Sequence, residues 1–387
     1  MRTQMAAALP RLDRFGARLA LFYAGFMFVL GMQVPFLPLW LQSRGLRSQE
    51  IAFVLAAPIV VRMFVTPIVS RLVDRHSDTR RALVFASFAS VAGFAIIGIA
   101  EGFFQILLAF SLTAILFMPI GALADAYALT GLRSRYSGYG SVRLWGSVAF
   151  LIANLFAGAL LSVIAVHSFI WAIVLALAAM SLFAGLLAPL PAQLGEPTAA
   201  APVSLNFWRL PQFLLIAAAA SLIQASHSIY YTFSAVAWTA GGLGSAAVGT
   251  LWAIGIGAEI VFFAVSGRLA HHPIALIGMG AAGALLRWTV MGLNPPVLLL
   301  PLVQCLHAFS FGATHLGSIQ YAGRAAQTRQ SATAQADFGA VLAFGGAATT
   351  AFSGVLYSAI GGSAYLVMAG MAGIGAMLLV VEGRLRR

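Results

Sequence analysis

Residues 246–268 read AAVGTLWAIGIGAEIVFFAVSGR, an almost entirely apolar stretch with a single carboxylate, Glu259, near its middle. About 20 consecutive apolar residues are enough for a helix to cross the hydrocarbon core of a bilayer. A charged side chain at the centre of that core costs at least about 2.5–3.5 kcal/mol on insertion scales, so such residues are rare and mark paths for solutes or protons. The stretch therefore predicts a membrane-spanning helix with a functional carboxyl group.

The rest of the chain has the same character. Hydrophobic residues make up 61% of the 387 positions and charged residues 8%, and the mean hydropathy is +0.95. A soluble domain of this length needs far more polar surface, and the continuous apolar runs lack the alternation of a transmembrane β-barrel. We predict an all-α membrane protein with twelve transmembrane helices, at about 17–42, 50–73, 82–100, 103–129, 141–164, 168–189, 210–240, 246–268, 274–292, 297–321, 334–360 and 363–383.

A more polar segment divides these spans into two sets of six. Residues 190–209 are rich in Pro, Ala and polar side chains, as linkers are. We expect an N-terminal six-helix half at 1–189, a cytoplasmic linker at 190–209 and a C-terminal six-helix half at 210–387. The loops SRLVDRHSDTRR after span 2 and GRLAHHP after span 8 suggest an internal repeat. Two such halves predict a rocking protein with a central site at their interface.

The basic residues indicate the orientation. All 22 are Arg, and 18 of them fall on one side of the predicted spans. This bias follows the positive-inside rule and predicts both termini in the cytoplasm. It also directs the positive charge toward anionic lipid headgroups, so we expect no nucleic-acid partner. We expect no removed signal peptide, because the polar N-terminal segment leads directly into a full-length span. The single cysteine, Cys305, lies in an apolar run and is expected to be a buried structural thiol.

Two groups in the first half are candidate binding residues. Asp125 and Arg143 lie near the same end of neighbouring spans 4 and 5, which predicts a carboxylate–guanidinium pair. The pair is either a structural staple between the helices or an element that rearranges when substrate enters. Arg62 lies near the midpoint of span 2, too deep to reach either interface easily. It therefore needs an anion or a hydrated cavity. The candidate anions are a substrate carboxylate and a permanent internal partner such as a carboxylate on a facing helix.

The second half carries the candidate proton site. Glu259 lies where it loses its water and can take up and release a proton during a transport cycle. The alternative is a fixed salt bridge, for example with Arg287. His307, Phe311 and His315 are spaced i, i+4, i+8 in span 10, so they share one face.

In span 7, His227, Tyr230 and Tyr231 cluster similarly. Each histidine is either a hydrogen-bonded packing residue or part of a polar pathway.

Several motifs for other chemistries are absent or accidental. Residues 278–283 match the GxGxxG pattern but lie inside an apolar span without a preceding strand, so the match is accidental. There is no Walker A sequence, no GxSxG elbow and no HExxH or Cys/His cluster. We therefore predict no cofactor, no metal site and no enzyme activity.

Several stretches carry a resemblance to known transporters. The two six-span halves and the loop with Asp74, Arg75, Arg80 and Arg81 resemble the major facilitator superfamily. Here Ser70 replaces the first glycine of the loop motif, the distance to the Arg pair is longer, and the second copy has a histidine at 271 where an acid would fall. Within the superfamily the chain is most similar to the 3-phenylpropionate transporter family, in PFLPLWLQSRGL (35–46), the segment 119–126, YGSVRLWGSVAF (139–150), SAAVGTLWAIGIGAEI (245–260), LRWTVMG (286–292) and VQCLHAFSFGATHL (303–316).

The membrane charges also resemble those of lactose permease, more distantly. The resemblance implies sugar-contacting roles at Asp125 and Arg143, and matches at Glu259, Arg287 and His307. The glutamate that couples the proton in lactose permease falls at Ser310. If this protein couples protons, the resemblance therefore shifts that role to Glu259.

Together the residues and the resemblance imply a monomeric, multi-pass transporter of the bacterial inner membrane. We expect proton-coupled import of a small aromatic monocarboxylate such as 3-phenylpropionate by alternating access. A proton-coupled sugar or nucleoside symporter is the alternative, and an intramembrane hydrolase using His307 and Glu259 or a membrane sensor are remote ones. The predicted conformational gate is Asp74, Arg75, Arg80 and Arg81. The predicted proton-coupling residues are Glu259, Arg287 and His307. The predicted substrate-binding residues are Arg62, Asp125, Arg143, His227, Tyr230, Trp252, His307 and His315.

Overall fold

Helices account for the regular structure of the computed structural model, which describes residues 12–76, 78–133, 138–190, 210–325 and 331–385. The α-helices, in chain order, are α1 (Arg14–Ser43), α2 (Ser48–His76), α3 (Thr79–Ile99), α4 (Gly102–Phe117), α5 (Ile120–Leu132), α6 (Tyr139–Leu160), α7 (Phe169–Gly185), α8 (Pro211–Ala225), α9 (Ser228–Ala240), α10 (Ser245–Val265), α11 (Pro273–Gly292), α12 (Leu300–Cys305), α13 (Thr314–Ala325), α14 (Ser331–Ile360) and α15 (Ala364–Leu385). A π-helix, Ala308–Ala313, joins α12 to α13. All of the predicted linker except residue 190 lies outside the described residues.

Twelve membrane crossings account for these helices. In the described part of the chain, eleven helical segments are long and apolar enough to cross a bilayer, and the last of them, Gln335–Leu385, has 51 residues. A straight helix of that length would measure about 76 Å, more than twice the hydrocarbon thickness. The 3-10 turn Gly361–Ser363 divides it into α14 and α15. The prediction of an all-α protein with twelve spans is thus confirmed.

An even number of crossings brings both ends of the described chain to one membrane face. Leu12 and Leu385 lie at this face, which we call the terminal face, together with the residues that flank the linker. The turns that follow α1, α3, α6, α9, α11 and α14 lie at the opposite face.

Spans 1–6 and spans 7–12, the two predicted halves, pack closely near the opposite face. There α2 packs against α14, α6 against α10, and α1 against α9. A methyl group added at Gly158 of α6 would come within 2.6 Å of the Ser245 carbonyl oxygen. One added at Gly354 of α14 would come within 2.5 Å of the Ser48 carbonyl oxygen. Residues without a side chain allow this close backbone approach.

The halves diverge toward the terminal face. The segments of spans 4, 7 and 10 nearest this face are α5, α8 and α13. α5 packs against α1, α2, α3 and α6, while α8 and α13 pack against each other and against α11 and α14. By contrast α9, the opposite-face segment of span 7, contacts α1 and α2 of the other half. The space between the halves therefore opens toward the terminal face.

Three spans are interrupted, each for a local reason. In span 4, α4 and α5 meet at Pro119, which lacks an N–H and whose ring clashes with the preceding turn. In span 7, the Ser226 hydroxyl donates to the Ile223 carbonyl oxygen at 2.6 Å, and His227 Nδ1 lies 3.1 Å from the same atom. These side chains thus supply hydrogen bonds to a backbone carbonyl oxygen that the break between α8 and α9 leaves without its helical partner. In span 10 the π-helix adds a wider turn, a feature often found at functional sites.

Cys305 is exposed, so the prediction of a buried structural thiol is wrong. On the same stretch, Leu298 is 87% exposed and Leu302 is 68% exposed. This side of span 10 therefore faces lipid. In a bilayer, apolar side chains suit the outer surface as well as the interior, so an apolar run does not predict burial.

Candidate functional site

The first polar cluster joins α1, α5 and α6 at Asp125. Its Oδ1 accepts hydrogen bonds from the Tyr23 hydroxyl at 2.5 Å, the Tyr139 hydroxyl at 2.8 Å and Arg143 Nη1 at 2.9 Å. The guanidinium carbon of Arg143 lies 5.6 Å from the centre of the Tyr23 ring. The carboxylate–guanidinium pair expected from the antiparallel order of spans 4 and 5 is therefore formed.

This pair borders the space between the halves. The side chains of Arg143 and Asp125 are 40% and 38% exposed, and charged groups avoid lipid. An ion pair this exposed stabilises the fold by about 1 kcal/mol or less. The carboxylate nevertheless balances the charge of Arg143, so the pair presents no unbalanced charge to an entering anion. The staple arrangement exists in this state, and its rearrangement by substrate stays a prediction.

Arg62 lies halfway along α2 and is exposed. Among the residues that the structure describes, no hydrogen bond or ion pair holds its side chain. The permanent carboxylate partner that we weighed is therefore not found in the described part of the chain. Because a guanidinium keeps its proton in proteins, Arg62 is a fixed positive charge with no counterion among the described side chains.

The second polar cluster is centred on Arg287 of α11, which is fully buried. Its Nη2 donates to Gln304 Oε1 at 2.6 Å. Its Nη1 lies 2.9 Å from His307 Nδ1 and 3.3 Å from Ser310 Oγ. A buried charge needs such partners, because an unpaired one costs several kcal/mol.

His307 links this guanidinium to Glu259. Arginine only donates hydrogen bonds, so Nδ1 of His307 must accept, and the proton of the neutral ring must be on Nε2. That Nε2 lies 3.4 Å from Glu259 Oε2. The imidazole thus stands between Arg287 and Glu259, where the sequence suggested a direct salt bridge as one alternative. The Glu259 side chain is 15% exposed, so it borders the opening as well as the buried cluster.

Ser310 connects the same guanidinium to His227. Its hydroxyl lies 3.1 Å from His227 Nε2. The other ring nitrogen, Nδ1, faces the carbonyl oxygens of Ile223 and Gln224 at 3.1 and 3.2 Å, so it carries the proton and Nε2 accepts from Ser310. His227 is completely buried, as a hydrogen-bonded packing residue is.

The predicted shared face of span 10 is present despite the π-helix. Phe311 stacks between His307 and His315, with ring centroids 5.1 and 5.5 Å away and interplanar angles of 11°. His315 is exposed at the end of this stack. It lies within Coulombic range of Glu259 in its own half and of Arg143 in the other half. His315 is therefore the member of the second cluster that borders the first.

Tyr230 and Trp252, predicted as substrate-binding residues, form a buried layer behind Arg287. Their rings stack with centroids 4.4 Å apart, and each residue is 2% exposed. The guanidinium carbon of Arg287 lies 4.4 Å from the Tyr230 ring centre and 4.6 Å from that of Trp288. In this state the aromatic rings hold the cation and do not border the opening.

Two of the four predicted gate residues have described side chains. Arg80 donates to two carbonyl oxygens at the end of α7, at 2.6 and 3.3 Å, and so caps that helix. Arg81 pairs with Asp78, three residues earlier, at 3.0 Å. The side chains of Asp74 and Arg75 lie outside the described part of the chain.

Sequence reasoning missed four polar residues as members of these clusters: Tyr23, Tyr139, Gln304 and Ser310. Tyr139 precedes Arg143 by four residues and Gln304 precedes His307 by three, spacings that place each pair on one helix face. That periodicity was the available signal. Ser310 follows His307 by three residues, so the same signal applied to it. For Tyr23 the position depends on helix packing, and the sequence carries no comparable signal.

Comparisons with known proteins give a consistent result. A family model described as "MFS_1 like family" matches residues 17–367. The "Probable 3-phenylpropionic acid transporter" of Escherichia coli (strain K12) is 32% identical over 310 residues, covering 78% of this chain and 81% of that protein. The "Maltose permease" of Geobacillus stearothermophilus is 26% identical over 327 residues, covering 83% and 82%.

Solved structures share the fold. The crystal structure of the nucleoside transporter NupG has a TM-score of 0.79 at 14% identity, covering 96% of this chain and 99% of that one. A bacterial homologue of the human lysosomal transporter Spinster, in an inward-facing and occupied conformation, has a TM-score of 0.73 at 14% identity, covering 97% and 98%. Identities this low support the fold alone.

Proposed function

The chain belongs to the MFS_1 like family of transporters, and on that premise we propose that it imports a small aromatic monocarboxylate, such as 3-phenylpropionate, together with protons by alternating access. The observation that carries the substrate class is the 32% identity with the Escherichia coli protein over 78% of this chain.

Arg62 is our proposed ligand for the substrate carboxylate. It is exposed at the middle of α2 and has no counterion among the described residues, whereas Asp125 balances Arg143. A charge-assisted hydrogen bond to a carboxylate contributes about 1.5–3 kcal/mol. Arg143, Asp125 and His315 would then border the same bound molecule from the two halves.

Glu259 is our proposed proton site. It is a carboxyl group that borders both the opening and the buried cluster, and its partner is a neutral imidazole. Ser310 bonds His227 and Arg287 but cannot carry a proton between faces. In this proposal His307 and Arg287 act through Glu259.

We further propose that the terminal face is cytoplasmic. The Arg distribution supports this orientation in a bacterial inner membrane, since 18 of 22 Arg residues fall on that side. The opening then faces the cytoplasm, and the chain works as a monomer with its site between the halves. Asp74, Arg75, Arg80 and Arg81 lie where a cytoplasmic gate would form in the alternate state.

A proton-coupled sugar or nucleoside symporter is the second candidate. The 26% identity with the maltose permease supports it, as does the hydroxyl-rich cluster of Tyr23, Tyr139 and Asp125. Hydroxyl and carboxylate groups of this kind suit a neutral polyol as well as an acid.

Uptake by purified protein in proteoliposomes tests the proposal. An inward proton gradient should drive accumulation of labelled 3-phenylpropionate, and excess maltose or nucleosides should not compete. Glu259→Gln should abolish accumulation while leaving exchange of preloaded substrate partly intact. Competition by maltose or a nucleoside instead of the acid would favour the second candidate. Accumulation by Glu259→Gln at the wild-type level would exclude Glu259 as the coupling site.

A further inference from the structure

The hydrogen-bond directions around Arg287 leave one protonation state for His307. Arg287 Nη1 donates to His307 Nδ1 at 2.9 Å, inside a site where His307 is 4% exposed. If Nδ1 carried a proton, two N–H donors, one from Arg287 and one from His307, would face each other at 2.9 Å with no acceptor between them. The same geometry therefore keeps His307 neutral with its proton on Nε2, the ring nitrogen that lies 3.4 Å from Glu259 Oε2.

Charge balance in the second half then depends on Glu259. Arg287 is fully buried, and its other side-chain partners, Gln304 and Ser310, are neutral. The carboxylate of Glu259 lies on the other side of His307, 3.4 Å from its Nε2, and we take its negative charge as the one that balances Arg287. When Glu259 takes up a proton, the cluster gains one unbalanced positive charge.

Other charged or titratable groups face Glu259 from the elements packed around α10. None of those within the second half can replace the missing negative charge, since the histidines are neutral or cationic and tyrosine is neutral. They are His307 beside the π-helix, His315 on α13 and Tyr231 on α9. Across the opening, Arg143 on α6 lies within Coulombic range of His315. Arg143 is already paired with Asp125.

From this geometry we propose that His307 is a fixed neutral bridge, and that it makes the carrier load one proton and one monoanion together and move no net charge. The inference rests on the proposed function. The pair of Arg143 and Asp125 is neutral, and Arg62 contributes one constant positive charge. A proton on Glu259 adds one charge, and a substrate carboxylate removes it. The empty and the loaded carrier therefore have the same net charge in the membrane.

In this scheme His307 is a positioning residue and not the proton carrier. Gln at this position offers a carbonyl oxygen that can accept from Arg287 and an N–H that can donate to Glu259, but it cannot take a proton. His307→Gln should therefore transport more slowly, because amide geometry differs from imidazole, and still move one proton per substrate. His307→Leu removes both polar contacts of the side chain, so this variant should no longer move one proton per substrate.

The test measures ratios in proteoliposomes that contain a pH dye and labelled 3-phenylpropionate. Wild type and His307→Gln should each take up one proton per substrate. His167→Gln is the matched control, because His167 is exposed in a turn at the opposite face. A proton ratio near zero in His307→Gln, with exchange retained, would make His307 the carrier and overturn the proposal. A ratio of one at the wild-type rate in His307→Leu would also overturn it.

Membrane potential gives a second measurement. A cycle that moved one net charge would change accumulation about 100-fold at a potential of about −120 mV. We expect less than a twofold change when the potential is set with potassium and valinomycin. A change approaching the larger value would refute the charge balance.

The tautomer can be tested without any substrate. Nitrogen-15 NMR of histidine-labelled full-length protein in nanodiscs, assigned with His307→Gln, should find His307 neutral with its proton on Nε2 from pH 5 to 8. An imidazolium or a proton on Nδ1 would refute the bridge. If this result is as expected but 3-phenylpropionate is not transported, the proposed function fails and the bridge stands.

Discussion

Gly158→Ala should loosen the contact between the halves at the opposite face. The new methyl group would lie 2.6 Å from the Ser245 carbonyl oxygen and 3.1 and 3.2 Å from the Cα atoms of Gly249 and Ala246. All three atoms belong to backbone, so no side chain can rotate away. The helices α6 and α10 must separate by about 0.4 Å before even the closest contact reaches 3.0 Å.

The added methyl group destabilises only the conformation in which the halves are in contact at the opposite face. Overpacking a tight contact costs about 1–3 kcal/mol. In alternating access the halves separate at this face in the other state, where the methyl group meets open space. The difference shifts the equilibrium between the two states by about 5–150-fold toward opening at this face.

Disulfide cross-linking measures that shift. The side chains of Gln49 on α2 and Ser358 on α14 lie 3.3 Å apart across the closed contact. Cysteines at both positions, with Cys305→Ser to remove the native thiol, should cross-link rapidly in the parent protein and more slowly with Gly158→Ala. Gly140→Ala on the same helix is the control, because nothing lies within 4 Å of its added methyl group. Equal cross-linking rates in the two variants would refute the reasoning.

Three further results are expected. Arg62→Gln should weaken binding of 3-phenylpropionate about 10–150-fold, because a charge-assisted hydrogen bond of about 1.5–3 kcal/mol is lost. Binding of the corresponding alcohol should not weaken. Equal losses for the acid and the alcohol in a binding assay would contradict this. Ser310→Ala leaves a buried acceptor on His227 unsatisfied and should lower stability by about 1–3 kcal/mol in thermal unfolding, while Ser318→Ala, which loses a bond to its own helix, should cost less. Tyr139→Phe removes one of three donors to Asp125 and should alter substrate affinity but not the proton ratio, so a changed ratio would reject the assigned role.

Hydropathy and charge predicted the crossings well because a bilayer constrains length and composition strongly. The pair of Asp125 and Arg143 was also predictable, since antiparallel neighbours joined by a short connection bring both groups to one depth. Proline chemistry explains the break at Pro119 but did not predict it, because Pro35, Pro38, Pro58 and Pro67 lie inside continuous helices. The break before His227 was not predicted either, because it depends on side chains that bond backbone carbonyls locally.

The hydrogen-bond network of the second cluster could not be predicted from the sequence. Arg287, Ser310 and His227 meet only when three spans adopt particular rotations about their axes, and composition does not encode those rotations. Cys305 illustrates the same limit, because lipid and protein interior select similar side chains. Tyr230 and Trp252 lie against this cluster and are buried, and their predicted contact with substrate stays a prediction.

The cap formed by Arg80 bears on how the protein is made. Arg80 donates to carbonyl oxygens at the end of α7, and the Tyr127 hydroxyl donates to the Ala188 carbonyl oxygen at 2.6 Å. The end of span 6 is thus bonded to spans 3 and 4 within the first block of six crossings. The insertion machinery can complete this block while the remaining six are still being translated. Two polypeptides divided between residues 191 and 209 should therefore insert separately and assemble into a working carrier.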